Sequence, residues 1–431
     1  MDIRNALGRK IILFEGAMGT ALQAAGLGGG RLPEIWNIEN SKAVRRVHAG
    51  FLKEGSDVLS TNTFSANRLK LEGLGITVER AVSAAIDICR EAIDETGIEA
   101  FIALDIGPTG SLMNVPGGIS ADQVYELVRE QAVAGAENGA DFALFETFSD
   151  IGELKAGVLA VKENSNLPIF CSMTFQPNGR MLMGTDPQTA VIILEGIGVD
   201  AIGINCSLGP ADTVPLLRSM AEIAGLPVFA QPNAGLPEME GGEAAFSVGA
   251  EEFAGAMMDM LEAGAAAAGG CCGTTAEYIS ALRRRIEAVT VEDRPSKFPA
   301  LRPEWYEGKK GCAAICAASP FGFVRVSKDA LPDIAEMVPE EKRKWREAIL
   351  SGDFSYPVKE ATSRARKGAG LILIDADVFE GKAEGAIPEV MAGISARVKA
   401  PILLEGVSET LIKKADRYYS GRTLSGKDVM V

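Results

Sequence analysis

The chain of 431 residues is long enough for one large domain and a smaller one. It carries 58 acidic against 43 basic residues, a formal net charge of −15, so we expect no nucleic-acid partner. No apolar run approaches the roughly 20 residues that span a bilayer, so we also expect no membrane association.

Histidine and cysteine usage restricts the chemistry further. A single histidine, His48, excludes metal sites built from several histidines, so a metal site must use Cys, Asp or Glu. The seven cysteines are odd in number and scattered, and no secretory segment follows Met1. These features predict a cytoplasmic protein with reduced thiols.

The first 290 residues repeat one unit, a short apolar run followed by a turn and a segment with helical periodicity. The apolar runs are residues 11–14, 57–61, 101–105, 142–146, 169–175, 201–206, 228–231 and 265–271. The helical segments are residues 41–54, 78–96, 121–138, 150–164, 187–196, 211–224 and 250–263. Eight strand candidates in this length predict an α/β fold, a (β/α)8 TIM barrel, which needs about 250 residues. A doubly wound open sheet is the alternative, since periodicity does not show closure.

Polar residues follow the apolar runs, where a barrel enzyme places its chemistry. They are residues 15–20, 62–64, 105, 146–147, 205–207, 231–233 and 270–273. Asn, Gly, Asp and Ser also favour turns for backbone reasons, which is an equal alternative for most of these positions. Glu146, Cys206 and the pair Cys271 and Cys272 are not turn formers, so they indicate function more strongly.

The three cysteines follow strand candidates six and eight, which have the same parity in an eight-stranded barrel. Adjacent glycines, Gly270 and Gly273, allow the backbone to turn so that Cys271 and Cys272 converge with Cys206. Zn²⁺ suits three thiolates and then keeps a fourth position for a substrate. Buried packing cysteines are an equally weighted alternative on spacing alone, and a strained vicinal disulfide is a further one.

Residues 291–310, with several prolines and charges, are predicted to be a linker, and residues 311–431 a small α/β region. The strand candidates of this region are residues 311–317, 371–375 and 401–405, and its helix candidates are residues 339–351, 357–367, 388–399 and 408–418. The region is too short for a second complete barrel.

Five motifs resemble the signatures of the homocysteine S-methyltransferase family, which includes the homocysteine-binding barrel of cobalamin-dependent methionine synthase and betaine:homocysteine methyltransferase. The motifs are FEGAMGT at 14–20, TNTF at 61–64, GINC at 203–206, PNAG at 232–235 and GGCCGT at 269–274. The resemblance covers residues 1–290. It implies a zinc site at Cys206, Cys271 and Cys272, whose open position takes the homocysteine thiol.

The resemblance also implies how the substrate is methylated and held. A free thiol is a poor nucleophile when protonated, whereas a zinc-bound thiolate attacks an activated methyl group at neutral pH. Glu146 is expected to contact the substrate ammonium, and Glu15, which stands where the family usually has Asp, is a further candidate for binding the substrate. The turn with Gly16, Gly19 and Thr20 offers N–H groups to the substrate carboxylate, and Asn233 is expected to orient substrate or occupy the fourth zinc position.

Residues 311–431 are similar to the beginning of a pterin-binding barrel, which implies an incomplete second barrel. Ala376 and Glu405 differ from the family pattern, which argues against a methyltetrahydrofolate site within this region. His48 lies in a predicted helix rather than in a cobalamin-binding loop. We therefore expect an external methyl donor, methylcobalamin on a separate protein. The partner is expected to be a corrinoid protein or a methyltetrahydrofolate-binding subunit. A small sulfonium or betaine-type donor and a non-catalytic zinc- and thiol-binding module are the alternatives.

Overall fold

The computed structural model describes residues 2–113, 115, 117–240, 243–305, 316–326 and 332–425. Its larger unit contains eight parallel strands in the order β1-β10-β7-β6-β5-β4-β3-β2. A parallel bridge between Phe14 and Val58 links the two outer strands, so the sheet closes into the predicted barrel. Strands of this unit are β1 (Ile12–Leu13), β2 (Val58–Ser60), β3 (Phe101–Ile106), β4 (Phe142–Phe148), β5 (Ile169–Met173), β6 (Ala201–Asn205), β7 (Val228–Gln231), β8 (Pro237–Glu240), β9 (Glu243–Phe246) and β10 (Ala265–Ala268), of which β8 and β9 form a separate hairpin.

Helices follow the barrel strands and confirm the predicted βα repeat. The helices of this unit are α1 (Ile3–Ala6), α2 (Met18–Ala24), α3 (Trp36–Glu39), α4 (Ser41–Lys53), α5 (Arg68–Leu71), α6 (Val78–Thr96), α7 (Ala121–Glu137), α8 (Ile151–Asn164), α9 (Pro187–Ile197), α10 (Pro210–Ile223), α11 (Ala250–Glu262), α12 (Ala276–Glu287) and α13 (Arg294–Lys297). None of the described helices is both long and apolar enough to cross a membrane.

Four phenylalanines fill the interior of the barrel. Phe14, Phe142, Phe170 and Phe229 are fully buried, and their neighbouring ring centroids lie 4.6–6.3 Å apart. They belong to an interior cluster that is separate from the layer between strands and helices. The alternation of side chains along a strand explains this division, because every second residue points inward.

The segment that follows the barrel packs against it. Ala300 is buried in the same interior cluster as Ile3 and Ala6 of α1. Trp305 lies against Gly264, where a Cβ atom would come within 2.7 Å of its ring. The described part of the predicted linker is therefore a strap on the barrel rather than a free connection.

The second unit is an open sheet of four parallel strands in sequential order. Its elements are β13 (Ile334–Ala335), α14 (Pro339–Ser351), α15 (Ser355–Arg366), β14 (Leu371–Asp375), α16 (Ala383–Arg397), β15 (Ile402–Glu405), α17 (Glu409–Tyr418) and β16 (Leu424–Ser425). The predicted strands and helices from residue 339 onward are present. Helix α16 begins five residues before the predicted start at Pro388, and this proline lies inside the helix.

Each face of this open sheet is covered by a different element. Ile372, Ile402 and Leu404 pack with the helices in one cluster. Leu371 and Leu403 belong to another cluster, with Ala317 and Val326 of the hairpin formed by β11 (Cys316–Ser319) and β12 (Gly322–Arg325). Residues 311–315 of the strand predicted at 311–317 lie outside the described residues. The unit thus resembles part of a barrel whose interior side is filled by a hairpin.

The two units are joined by buried polar contacts. Lys155 of α8 donates from Nζ to the carbonyl oxygens of Asp416 (3.0 Å), Tyr419 (2.9 Å) and Gly421 (3.0 Å) at the end of α17. Arg417 pairs with Glu163 at 2.8 Å on the rim of this contact. The lysine ammonium satisfies carbonyls that a helix end leaves without intrahelical donors.

Candidate metal and substrate site

A polar layer lies directly above the phenylalanine layer of the barrel. Along β4, Phe142 and Leu144 point inward, and Glu146 is the next residue in that alternation. The same period places Asp105 after Ala103, and Gln231 after Phe229. These polar side chains therefore reach the carboxyl-terminal mouth of the barrel, where barrel enzymes carry their active sites.

The three predicted cysteines converge at this mouth. The Sγ atoms of Cys206, Cys271 and Cys272 all lie within 4.8 Å of one another, and all three cysteines are free thiols. Two sulfurs bound to one tetrahedral Zn²⁺ at about 2.3 Å each lie about 3.8 Å apart. Three thiols clustered within 4.8 Å therefore form a donor set that fits a zinc ion after a small adjustment of the side chains.

The backbone at the cysteines adopts rare conformations that bring the three side chains together. Cys206 and Ser207 have φ values of 58° and 57°, a left-handed conformation that non-glycine residues rarely adopt. Strand β10 ends at Ala268 rather than at the predicted residue 271, so Cys271 and Cys272 lie on a turn. A Cβ atom at Gly270 would collide with Thr274, so this tight turn requires glycine.

The side chain of Asn205 forms hydrogen bonds with residues beside the cysteine cluster. Its Oδ1 accepts from the backbone N–H of Thr147 and from Ser172 Oγ, both at 2.8 Å, and its Nδ2 donates to Thr147 Oγ1 at 2.8 Å. Nδ2 also lies 3.8 Å from Cys271 Sγ. Thr147 has a φ of 64°, so one buried amide holds this strained position and contacts Cys271 of the cysteine cluster.

The three thiols share their protons in the absence of a metal. Hydrogen bonds from Cys271 and Cys272 lower the pKa of Cys206 to about 3. The bond to Cys206 raises the pKa of Cys272 to about 11, and burial adds to that rise. Cys206 is therefore the first of the three thiols to lose its proton, and the negative charge of its thiolate favours a cation at the cluster.

Carboxylates line the cavity of about 260 Å³ beside the cysteines. Burial raises the pKa of Glu146 to about 7, against the hydrogen bond from Gln231 Nε2 (2.9 Å). Burial also raises the pKa of Glu34, and it raises that of Asp105 well above the usual value together with the charges of Glu146 and Glu34. The site thus holds several buried carboxyl groups that ionise unfavourably without a counter-charge, which favours a cationic ligand group.

Glu15 is engaged by its neighbours. Its Oε1 accepts from the backbone N–H of Ser60 at 3.0 Å, and its Oε2 lies 2.9 Å from His48 Nδ1. The other ring nitrogen of His48 is 3.6 Å from Cys89 Sγ. Burial opposes protonation of the imidazole, but Cys89 and Glu15 outweigh it and raise the pKa of His48 well above its usual value. His48 is thus a buried structural partner of Glu15.

The remaining candidate residues fall near the same cavity. Gly16, Gly19 and Thr20 line it, which leaves their expected contact with a substrate carboxylate as a prediction. Asn233 is buried, and its hydrogen bond to Cys206 helps lower the pKa of that thiol. Asn62 donates to Pro33 O at 2.8 Å, so it holds a loop.

Two acidic residues of the cavity were missed from the sequence. Glu34 lies in a short 3₁₀ turn far from any strand end, so only the fold brings it to the mouth. Asp105 was noted as a strand-end residue but given no role. The alternation of side chains along β3 could have identified Asp105, because Asp105 lies two residues after Ala103 and points to the same interior face.

Together these features define a barrel protein with a three-cysteine candidate metal site beside a small cavity lined by carboxyl groups. The sequence model of a protein family described as homocysteine S-methyltransferase matches residues 12–286, which is more than half of the chain. The chain belongs to the homocysteine S-methyltransferase family.

Known relatives extend this similarity beyond the barrel. The methionine synthase of Mycobacterium tuberculosis is 28% identical over 440 residues, which cover 98% of this chain and 36% of that protein. That of Mycobacterium leprae is 29% identical over 443 residues, with the same coverage. The chain therefore spans about a third of the length of these relatives. The metallated homocysteine methyltransferase MmuM from Escherichia coli shares the barrel fold, with a TM-score of 0.56 and 23% identity over 64% of this chain and 96% of that one.

Proposed function

We propose that this chain methylates the thiol of homocysteine to form methionine, with zinc held by Cys206, Cys271 and Cys272. The convergence of the three Sγ atoms within 4.8 Å beside an acidic cavity is the observation that carries this proposal. The reduced thiols that it requires agree with the predicted cytoplasmic location. The proposed division assigns catalysis to residues 1–290, the strap to 291–310 and a supporting role to 311–431.

The mechanism needs a thiolate and a positioned methyl group. Zinc on three cysteine thiolates would lower the pKa of a coordinated substrate thiol and hold it as a nucleophile. The sulfur lone pair attacks the methyl carbon, the bond between that carbon and the donor breaks, and the thiol proton leaves to solvent. Asn205 fixes the backbone of the cysteine cluster, and Glu146 with the Gly16–Thr20 turn orients the amino acid part of the substrate.

We favour methylcobalamin on a separate corrinoid protein as the donor, because the similarity to methionine synthases covers 98% of this chain. The second unit gives little support for a folate site of its own. Lys342 Nζ lies 2.7 Å from Asp375 Oδ2 and 3.7 Å from Glu405 Oε1, so the two carboxylates at these strand ends share one lysine ammonium. A methyltetrahydrofolate-binding subunit would then be another protein. The acidic cavity favours a cationic sulfonium or betaine-type compound as the second candidate donor.

A donor screen on the full chain tests the proposal. Zinc-loaded protein is given homocysteine with methylcobalamin, a methionine-derived sulfonium or betaine, and methionine formation is measured. We expect transfer from methylcobalamin, about one zinc per chain, and loss of both in Cys206→Ala. Cys171→Ala is the matched control, since Cys171 is buried outside the cluster.

Two results would contradict the proposal. Zinc well below one per chain under reducing conditions, together with full activity of Cys206→Ala, excludes the zinc mechanism. Bound zinc and bound thiol without transfer from any donor indicates a non-catalytic thiol-binding module instead.

A further inference from the structure

The hairpin of β11 and β12 is fixed to the second unit by hydrogen bonds as well as by packing. The backbone N–H of Ala318 donates to Arg422 O at 2.9 Å, and that of Arg422 donates to Ala318 O at 2.8 Å. The buried hydroxyl of Ser319 donates to Lys399 O, shortly before β15, at 2.6 Å. The second unit therefore determines where the turn of this hairpin lies.

The turn of the hairpin contacts the barrel at the loop that follows β5, residues 174–186, which we call the β5 loop. Thr185 Oγ1 in this loop donates to Pro320 O at 2.7 Å, and Thr185 is fully buried. The ring of Phe321 lies over the neighbouring Gly184, 3.8 Å from the position of a Cβ atom there. Loss of the hydroxyl would leave a buried carbonyl without its donor, so this bond holds the loop against the hairpin.

Backbone bonds and buried side chains make the β5 loop a rigid segment. The N–H of Gln176 donates to Arg180 O and the N–H of Met181 donates to Thr185 O, both at 2.8 Å. The side chains of Phe175 and Met181 are buried in the layer between strands and helices. Segments with bonded backbone groups and buried side chains are the least prone to local motion. The position of one end of the loop therefore depends on the position of the other.

The other end of the β5 loop reaches the cysteine cluster through Thr174. The backbone N–H of Thr174 donates to Phe148 O at 3.0 Å, and its hydroxyl forms a hydrogen bond with the hydroxyl of Ser207. Ser207 directly follows Cys206, and the two residues have φ values of 57° and 58°. Such a conformation is unfavourable for a non-glycine residue, so surrounding contacts must hold it. The hydroxyl pair is such a contact, one residue away from a candidate metal ligand.

We propose that the second unit positions the candidate zinc ligand Cys206, with Thr185 and Thr174 as the positioning residues at the two ends of the β5 loop. The hairpin holds Thr185, the loop carries that constraint to Thr174, and Thr174 holds Ser207 beside the ligand. The inference rests on the metal site of the proposed function, and it gives the second unit a role in metal binding that requires no folate site.

The zinc affinity of the full chain, measured by competition with a chromophoric chelator, tests this connection. Thr174→Val removes a hydroxyl at nearly constant shape and should weaken zinc binding about 10-fold, the usual effect of groups that orient metal ligands. Thr185→Val should weaken it about 3-fold or more, since its effect passes through the loop. Thr174→Ser and Thr185→Ser keep the hydroxyl and should restore the affinity to within about 2-fold of the wild type.

Further variants separate coupling through the loop from a local or a general effect. In the Thr174→Val background, Thr185→Val should have little additional effect, because the link to the cysteine cluster is already broken. Ser319→Ala removes a bond within the second unit and should weaken zinc binding as Thr185→Val does. Thr96→Val is the matched control, since Thr96 Oγ1 donates to Ala92 O at 2.9 Å at the end of α6. It should change the zinc affinity by less than about 2-fold.

The outcomes separate this inference from the proposed function. Wild-type zinc affinity in Thr185→Val and Ser319→Ala overturns the role of the second unit, even if Thr174→Val binds zinc weakly. Equal losses in the valine and serine variants, with a lower free energy of unfolding of the metal-free protein in urea, assign both threonines a purely structural role and overturn it too. If the wild type binds about one zinc but transfers no methyl group, the proposed methyl transfer fails, while the expected order of affinities still supports the positioning role. A wild type that binds no zinc overturns both.

Discussion

At the scale of single residues, Asn205 connects the strained backbone at Thr147 to Cys271 of the cysteine cluster. A left-handed conformation costs a non-glycine residue about 1–2 kcal/mol, which the surrounding hydrogen bonds must offset. The sequence motif contains this asparagine directly before Cys206, but only the structure shows that its amide reaches across to β4.

Replacing Asn205 tests this connection. We expect Asn205→Ala to lower zinc affinity about 10- to 100-fold, because residues that orient metal ligands typically have effects of this size. Competition with a chromophoric chelator measures the affinity. Ser172→Ala is the control, since it removes one bond to Asn205 and leaves its contacts with Thr147 and Cys271. Equal zinc affinity in wild type and Asn205→Ala would refute the positioning role.

The raised pKa of Glu146, about 7, predicts how the stability of metal-free protein depends on pH. Between about pH 4.5 and 7 the folded state binds a proton that the unfolded state has lost, so the free energy of unfolding falls as pH rises through this window. The loss is at most about 3 kcal/mol. Asp105 and Glu34, whose pKa values are also raised, act in the same direction.

Urea unfolding at several pH values, with a chelator present, measures this dependence. Glu146→Gln should flatten the fall between pH 4.5 and 7, whereas Glu137→Gln, at an exposed position, should not. A slope that is unchanged in Glu146→Gln would show that this carboxylate is ionised in the folded state throughout the range.

At the scale of elements, the open sheet depends on the hairpin of β11 and β12. In a closed barrel the inward face of a strand packs against the other strands. Here Leu371 and Leu403 instead meet Ala317 and Val326 of this hairpin. The sheet is thus covered on both faces within the described residues, and its hydrophobic surface is buried without a second set of strands.

Leu403→Ala tests how much this contact stabilises the second unit. Leu403 is 1% exposed, so truncation should leave a cavity and lower the free energy of unfolding by about 2–5 kcal/mol. Denaturant unfolding measures the change. Leu350→Ala, at a position 46% exposed, should change stability by less than about 1 kcal/mol. Similar small effects for both variants would mean that the hairpin contributes little.

At the scale of the whole molecule, Lys155 joins the barrel to the second unit. Its ammonium is buried, and burial lowers its pKa. Three carbonyl oxygens that accept hydrogen bonds from the ammonium stabilise its charged form. Without the lysine these carbonyls at the end of α17 would lose a charged donor.

We expect Lys155→Met to destabilise the contact between the units by at least about 2 kcal/mol and to separate their unfolding. Differential scanning calorimetry should then show two transitions where the wild type shows one. Lys162→Met on the same helix is the control, because Lys162 is exposed and donates to a single carbonyl, that of Ile197. One unchanged transition in Lys155→Met would show that the units are coupled by other contacts.

Much of the barrel was accessible from the sequence. Short apolar runs and helical segments with a period near 3.6 are local patterns, and the glycine and proline positions mark the turns between them. The three cysteines were accessible too, because their positions after strands six and eight place them at one end of a parallel barrel.

The tertiary structure decided which polar groups are already satisfied and which remain available. Glu15 and Asp105 both follow barrel strands, yet Glu15 is bonded to His48 while Asp105 keeps an acceptor free in the cavity. Glu34 reaches the same cavity from a turn that no local pattern relates to a strand end. Hydrogen-bond satisfaction depends on partners that are distant in sequence, so it is determined only when the chain has folded around the site.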